Sequence, residues 1–193
     1  MPTLNLTSEL ERLIADIAGR VEEFSHIDPR LILVCVSSTR GGGVHGTYAK
    51  IHPLRFENGA RAKTIRRGIR KYDYEMPTIT HRGADMLYVV YFLIPRFLNL
   101  PFREKLVTLF HELFHISPEF NGDIRRFPGK NYAHGSSTKR YNAYMAKLVD
   151  TYLERQETKK LTAFLEGDMA EIRERYKAIV GRKMVAPQIR LMK

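Results

Sequence analysis

The sequence predicts an α+β domain, a small twisted mixed sheet packed on a central helix, with a helical C-terminal part. Three observations carry this. Two apolar runs rich in β-branched and aromatic residues, 31–36 and 86–94, have the length of buried strands. Three longer stretches, beginning near Leu10, Phe102 and Tyr141, repeat apolar residues at helical spacing. A chain of 193 residues that is 44% hydrophobic is long enough to bury one substantial core. The domain is read as residues 1–156, with 157–193 a charged helical extension and basic tail packed on it.

Ser8 and Glu11 have capping-box spacing, and Leu10, Leu13, Ile14, Ile17, Val21 and Phe24 then keep helical period to about His26. The start of the chain has neither a basic cluster nor a continuous apolar segment, so no signal peptide is expected and the expected compartment is the cytoplasm. After Asp28-Pro29 the run LILVCVSST reads as a buried strand. It holds the single cysteine, Cys35, which has no disulfide partner in the chain and reads as a buried small hydrophobe in a reducing compartment. Gly41 and Gly46 bracket four residues as in a phosphate-binding loop, but Thr47 and Tyr48 follow where that loop needs a lysine. A flexible turn between strands is the expectation.

Residues 48–56 alternate enough for a strand, and Pro53 points to an edge or a bulge. The composition then shifts to Arg61, Lys63, Arg66, Arg67, Arg70 and Lys71, relieved by Ala62, Ile65 and Ile69. Such a run is a solvated face or a polyanion contact. With a formal net charge of +11, the second reading implies weak, salt-dependent, non-specific nucleic-acid contact, although no nucleic-acid-binding motif accompanies it. Residues 74–80 and 86–92 read as further strands joined by a turn around Arg82 and Gly83. The longest apolar run, nine residues at 86–94, is too short to span a bilayer, and no membrane segment is expected.

Pro101 marks a helix start, and the stretch 106–116, LVTLFHELFHI, follows. Phe102, Leu106, Leu109, Phe110, Leu113 and Ile116 make its core-facing stripe. His111 and His115 are four residues apart, so their rings leave one helix face and can converge on one metal ion. Glu112 lies beside them at about 100° around the helix. Two satisfied surface histidines are the plain alternative. The order H-E-x-x-H serves zinc hydrolysis: neutral imidazoles hold Zn²⁺, the metal lowers the pKa of a water to about 7, and the carboxylate takes its proton.

A catalytic zinc takes three protein ligands and a water, so one ligand is missing from this pair. Glu119 would suit a continuing helix, but Pro118 interrupts it. Asp123, after the Asn121-Gly122 turn, could swing back. His134, nineteen residues past His115, is followed by Gly135 and by Ser136 and Ser137, either of which can cap the next helix. His134 is favoured, with Asp123 open as the alternative. Pro118 and Asn121 stand where a metzincin has Gly and His, which excludes that arrangement.

H-E-L-F-H, a loop, then H-G opening a helix resembles the SprT-like zinc metallopeptidases. The stretch HELFHISPEFNGDIRRFPGKNYAHGSSTKRYNAYMAKLVDTYL is more similar still to the Putative phage metallopeptidase family, with a looser likeness from Leu31 onward. The resemblance implies His111, His115 and His134 as zinc ligands and Glu112 as the base. One cysteine cannot build the zinc ribbon that SprT-like proteins often carry after the protease domain. The expected fold is accordingly a zincin-like α+β single domain.

Tyr141, Tyr144, Met145, Leu148, Tyr152 and Leu153 form an apolar stripe that should pack against the metal helix from behind. Residues 158–180 keep helical period in two pieces around Gly167, and Gly181 ends them, leaving a basic tail that should be mobile unless a partner orders it. The expected function is zinc-dependent hydrolysis of a protein or peptide, with Glu112 deprotonating the water and returning the proton to the leaving amine. An exposed strand edge beside the helix could hold an extended substrate. Tyr132, Tyr141, Arg125 and Arg126 are candidates for polarising the oxyanion. The alternatives are a nucleic-acid-binding protein with a structural or inactive zinc site, and a metal-dependent nuclease. Glu112 argues against both, since a structural site has no use for a carboxylate between its histidines.

Overall fold

The computed structural model describes residues 1–39, 46–126 and 138–192. In chain order its regular elements are β1 (Thr3–Asn5), α1 (Leu6–Arg20), β2 (Ile32–Ser38), β3 (Ala49–Pro53), β4 (Ala62–Arg67) and β5 (Arg70–Glu75). The short pair β6 (Thr80–His81) and β7 (Ala84–Asp85) follows, then β8 (Tyr88–Ile94), α2 (Phe102–Phe114) and α3 (Thr138–Leu153). The C-terminal part holds α4 (Thr158–Thr162), α5 (Met169–Arg175), β9 (Ala178–Val180) and β10 (Arg190–Leu191). The architecture is mixed α+β.

The central sheet has the order β2-β8-β3, with β8 parallel to β2 and antiparallel to β3. β2 and β8 read as unbroken apolar runs because both of their faces are covered. Ile32, Val34, Val36, Tyr88, Val90 and Phe92 join the main core with residues of α1, α2 and α3. Leu33, Cys35, Val89 and Tyr91 form a second cluster on the other face, against Met184 and Ala186 of the tail. Cys35 is buried there, and burial pushes its thiol up to about 11, so it packs and does not react.

Three local expectations are corrected. The first helix is capped by Asn5, whose side-chain oxygen accepts from the Ser8 N–H at 3.1 Å, so it starts before the Ser8 box. The apolar period of Val21 and Phe24 then belongs to a 3-10 turn, Glu22–Phe24, that follows the helix end at Arg20. Residues 178–180 are a strand and not helix: the open edge of β1 offers ladder partners, and Ala178 to Val180 pair with Thr3 to Asn5 in parallel. The tail beyond Gly181 is tied down by the chain itself. The Val36 N–H donates to Arg182 O at 2.7 Å, and the Arg182 guanidinium reaches Glu11 at 2.6 Å and Val34 O at 2.9 Å. The Tyr91 hydroxyl donates to Val185 O at 3.2 Å, and β10 adds to the edge of β5. Among the described residues no helix is long and apolar enough to cross a membrane.

Candidate active site

The helix α2 starts directly after Pro101, whose missing N–H is one that a helix start leaves unbonded. Leu106, Leu109, Phe110 and Leu113 bury its apolar face in the main core, and Phe24 meets Phe110 edge-on at 5.3 Å. The helix closes at Phe114, but His115 keeps helical dihedrals (φ −69°, ψ −15°), so its ring stays on the face of His111. The two Nε2 atoms lie 3.0 Å apart, and the ring centroids 4.7 Å apart at an interplanar angle of 77°. Two imidazoles on a tetrahedral Zn²⁺ at roughly 2.05 Å hold their nitrogens about 3.3 Å apart. The pair therefore needs to open by only a few tenths of an ångström to accept the ion, and it fits.

Tyr141 of α3 backs the pair. Its ring centroid is 4.7 Å from that of His111 and it stacks on His115 at 5.9 Å with a 24° tilt, while its hydroxyl donates to His111 O at 3.2 Å. Burial holds the phenol protonated well above the usual tyrosine range. Glu112, beside the pair on the same helix, is 8% exposed. Burial pushes its carboxyl up to about 7, against the Ile51 backbone N–H, whose hydrogen bond favours the anion. Ile51 belongs to β3, the outer strand beside α2; its neighbours Tyr48 and Leu54 bond across to β8, so the peptide groups of Ala49 and Ile51 face the open edge. The strand edge that sequence reasoning could not name is thus β3, and its tie to Glu112 is backbone chemistry with no side-chain signal.

After Ile116 the chain doubles back. The Arg125 N–H donates to His115 O at 2.6 Å, and its guanidinium donates to Phe114 O at 2.8 Å while lying over the Phe114 ring at 4.1 Å. Arg125 thereby caps the C-terminal carbonyls of α2. Asp123 is enclosed in this turn. Its carboxylate accepts from Ile124 N–H at 2.8 Å, from Asn58 N–H at 3.2 Å and from the Arg126 guanidinium at 3.0 Å. Gly122 holds φ at +87° and donates to the Tyr88 hydroxyl, which in turn donates to Asp123 O at 2.8 Å. The Glu119 carboxylate accepts from Asn121 at 2.8 Å. Among the described residues no group of three His, Cys, Asp or Glu side chains is arranged to hold a metal, so neither Glu119 nor Asp123 joins the histidine pair.

His134, with Tyr132, lies outside the described residues, as do residues 40–45, most of the glycine-rich stretch expected to form a turn. The two flanks of its segment meet the site: Arg125 bonds His115, and Tyr141, three residues into α3, stacks on it. The basic residues from Lys63 to Lys71 fall elsewhere, on β4 and β5, with Arg61 just ahead of β4. Sequence reasoning missed Lys105, which is fully buried on α2 with its ammonium donating to Leu165 O at 2.8 Å and to Gly167 O. A lysine inside an apolar stripe carries no pattern that distinguishes it from a solvated one.

No curated protein and no solved structure matches the chain. A family model, described as Putative phage metallopeptidase, matches residues 4–152, from β1 nearly to the end of α3. That span contains the H-E-x-x-H helix, the strand beside it and the helix that backs it. The family implies a metal cofactor and protein or peptide substrates, and the chain belongs to the Putative phage metallopeptidase family.

Proposed function

We propose that the chain is a zinc-dependent peptidase of the H-E-x-x-H type in which His111, His115 and His134 hold the metal and Glu112 is the general base. The observation that carries this reading is the approach of two imidazole Nε2 atoms to 3.0 Å beside a buried carboxylate. The return of the chain to His115 on both sides of the segment bearing His134 supports that residue as the third ligand. When bound, zinc supplies a Lewis acid that lowers the pKa of water to about 7. Glu112 takes a proton from the attacking water on its carboxylate and passes it to the leaving amine.

The edge of β3 would align an extended peptide through the outward groups of Ala49 and the Ile51 carbonyl, the Ile51 N–H being held by Glu112. An outer strand beside the metal helix, with a second helix behind, supports the zincin-like reading of the fold. Tyr141 acts as a wall that orients both rings, since its hydroxyl is turned to His111 O. We assign the catalytic domain to residues 1–156 and an extension packed on it to 157–193, on the strength of the Lys105 and Arg182 contacts.

Glu112→Gln tests the mechanism. The variant should bind metal as the parent does and lose peptide hydrolysis by about 10²- to 10⁴-fold in kcat. Parental turnover of an unstructured peptide by this variant would remove Glu112 as the base.

A further inference from the structure

The run of cations between Arg61 and Lys71 folds as an arm. β4 and β5 pair in register from Ala62↔Glu75 to Arg67↔Arg70 and meet in a two-residue turn at Gly68 and Ile69, where Gly68 takes φ +61°. Six residues per strand make the ribbon about 20 Å long. Every residue of β4 is exposed, so neither face of that strand rests on the body. The base is anchored: β10 pairs with β5 at Tyr74 and Glu75, Met192 N–H donates to Asp73 O at 2.8 Å, and Arg61 pairs with Asp85 at 3.2 Å.

Cross-strand pairs share a face, so the register sorts the charges. Arg67 and Arg70 lie on one face of the tip, and Arg66 and Lys71 on the other. Lys63 shares the first face with Ile65, Tyr72 and Tyr74. The hairpin's two acids, Asp73 and Glu75, sit towards its base, and Asp73 already accepts from Thr64 at 2.6 Å. Among the described residues Lys63, Arg66, Arg67, Arg70 and Lys71 pair with no carboxylate, unlike Arg61. Ile69, at the apex, is 100% exposed.

We propose that β4–β5 is a ribbon arm that enters the major groove of duplex DNA, with the tip cations on the phosphates of both groove walls and Ile69 against the base edges. A two-stranded ribbon fits a groove about 12 Å wide. The groove has phosphates on each side, which uses cations on both faces; a single strand lies along one face and would leave the others idle. A membrane surface needs a broad apolar face, and this tip offers one isoleucine between four cations. Backbone phosphates carry no sequence information, so the contact is largely sequence-independent. The arm is separate from the H-E-x-x-H site, and its use does not depend on peptidase activity.

The test is binding of the full chain to a labelled duplex of about two helical turns, read by anisotropy across salt. Each phosphate contact contributes a slope of about −0.9 in log K against log salt, so four tip cations account for a fall of about 100-fold between about 50 and about 200 mM salt. The variant Arg66→Ala, Arg67→Ala, Arg70→Ala, Lys71→Ala should lose that dependence with an unchanged thermal midpoint, because all four side chains are exposed. Ile69→Ser should bind about tenfold more weakly at an unchanged slope. Wild-type protein should also shield guanine N7, a major-groove atom, from methylation by dimethyl sulfate. Glu112→Gln should bind as the wild type does, which separates this inference from the peptidase reading. The proposal is overturned by no duplex binding at about 50 mM salt, by equal or tighter binding of the corresponding single strand, by unshielded N7, or by a quadruple variant that keeps the parental slope. Binding to phosphatidylserine vesicles in place of DNA would overturn it too.

Discussion

Helical spacing brings His111 and His115 onto one face, where the ring of Tyr141 packs against both. Its hydroxyl, turned to His111 O, holds that ring in place against the helix. Lys105 was invisible, yet it fastens α2 to the turn at Leu165 and Gly167. Burial lowers its ammonium from the usual 10.5 to about 8. Between those two values the unfolded chain holds the proton and the folded chain does not, so this group's contribution to stability rises with pH across the window and is flat below it. Urea midpoints of the wild type and Lys105→Met should therefore diverge between pH 8 and pH 10, the wild type gaining on the variant. Parallel curves would mean that Lys105 titrates alike in both states.

At the scale of elements, what the sequence revealed depended on burial. β2, β8 and α2 were readable because each commits apolar residues to a covered face or stripe. In the sequence β4 is a charged run, since a strand exposed on both faces has no apolar alternation to betray it, and the turn glycine Gly68 with Tyr72 and Tyr74 is the signal available. The sequence of the loop after α2 leaves Asp123 free to swing, whereas its fold is set by bonds from the backbone to the distant Tyr88 hydroxyl that no local pattern encodes. Gly122 is the pivot of that loop. A Cβ there would stand 2.5 Å from Arg55 Cγ at φ +87°, where a side chain is strained in any case. Gly122→Ala should cost about 1–3 kcal/mol in denaturant unfolding and weaken metal binding, because the loop fixes Arg125 on His115. An unchanged unfolding midpoint would show that the loop relaxes without loss.

Across the whole molecule, the chain ends are where local reasoning failed and long-range pairing decided. Charged helical period pointed to helix through Val180 and a loose tail beyond it, but β1 sits where only tertiary folding could bring it, and it takes residues 178–180 as a strand. Arg182 then bonds Glu11 and Val34 across more than 140 positions of sequence, and Met184 and Ala186 cover the second face of the sheet. Deleting residues 178–193 should cost more than about 3 kcal/mol, through uncovered apolar surface and an unpartnered β2 edge, read as a shift of the urea midpoint. A truncated protein with the parental midpoint would make the tail a passive attachment.

The central claim is that this metallopeptidase-family chain uses its H-E-x-x-H helix to hold a catalytic zinc. Metal analysis of purified wild-type and His115→Ala protein after equilibration with zinc and removal of excess tests it most directly. About one Zn²⁺ per wild-type chain and close to none in the variant is the expected result. Equal zinc content in the two proteins would contradict the assignment of His115, and with it the paired-imidazole geometry on which the site is built.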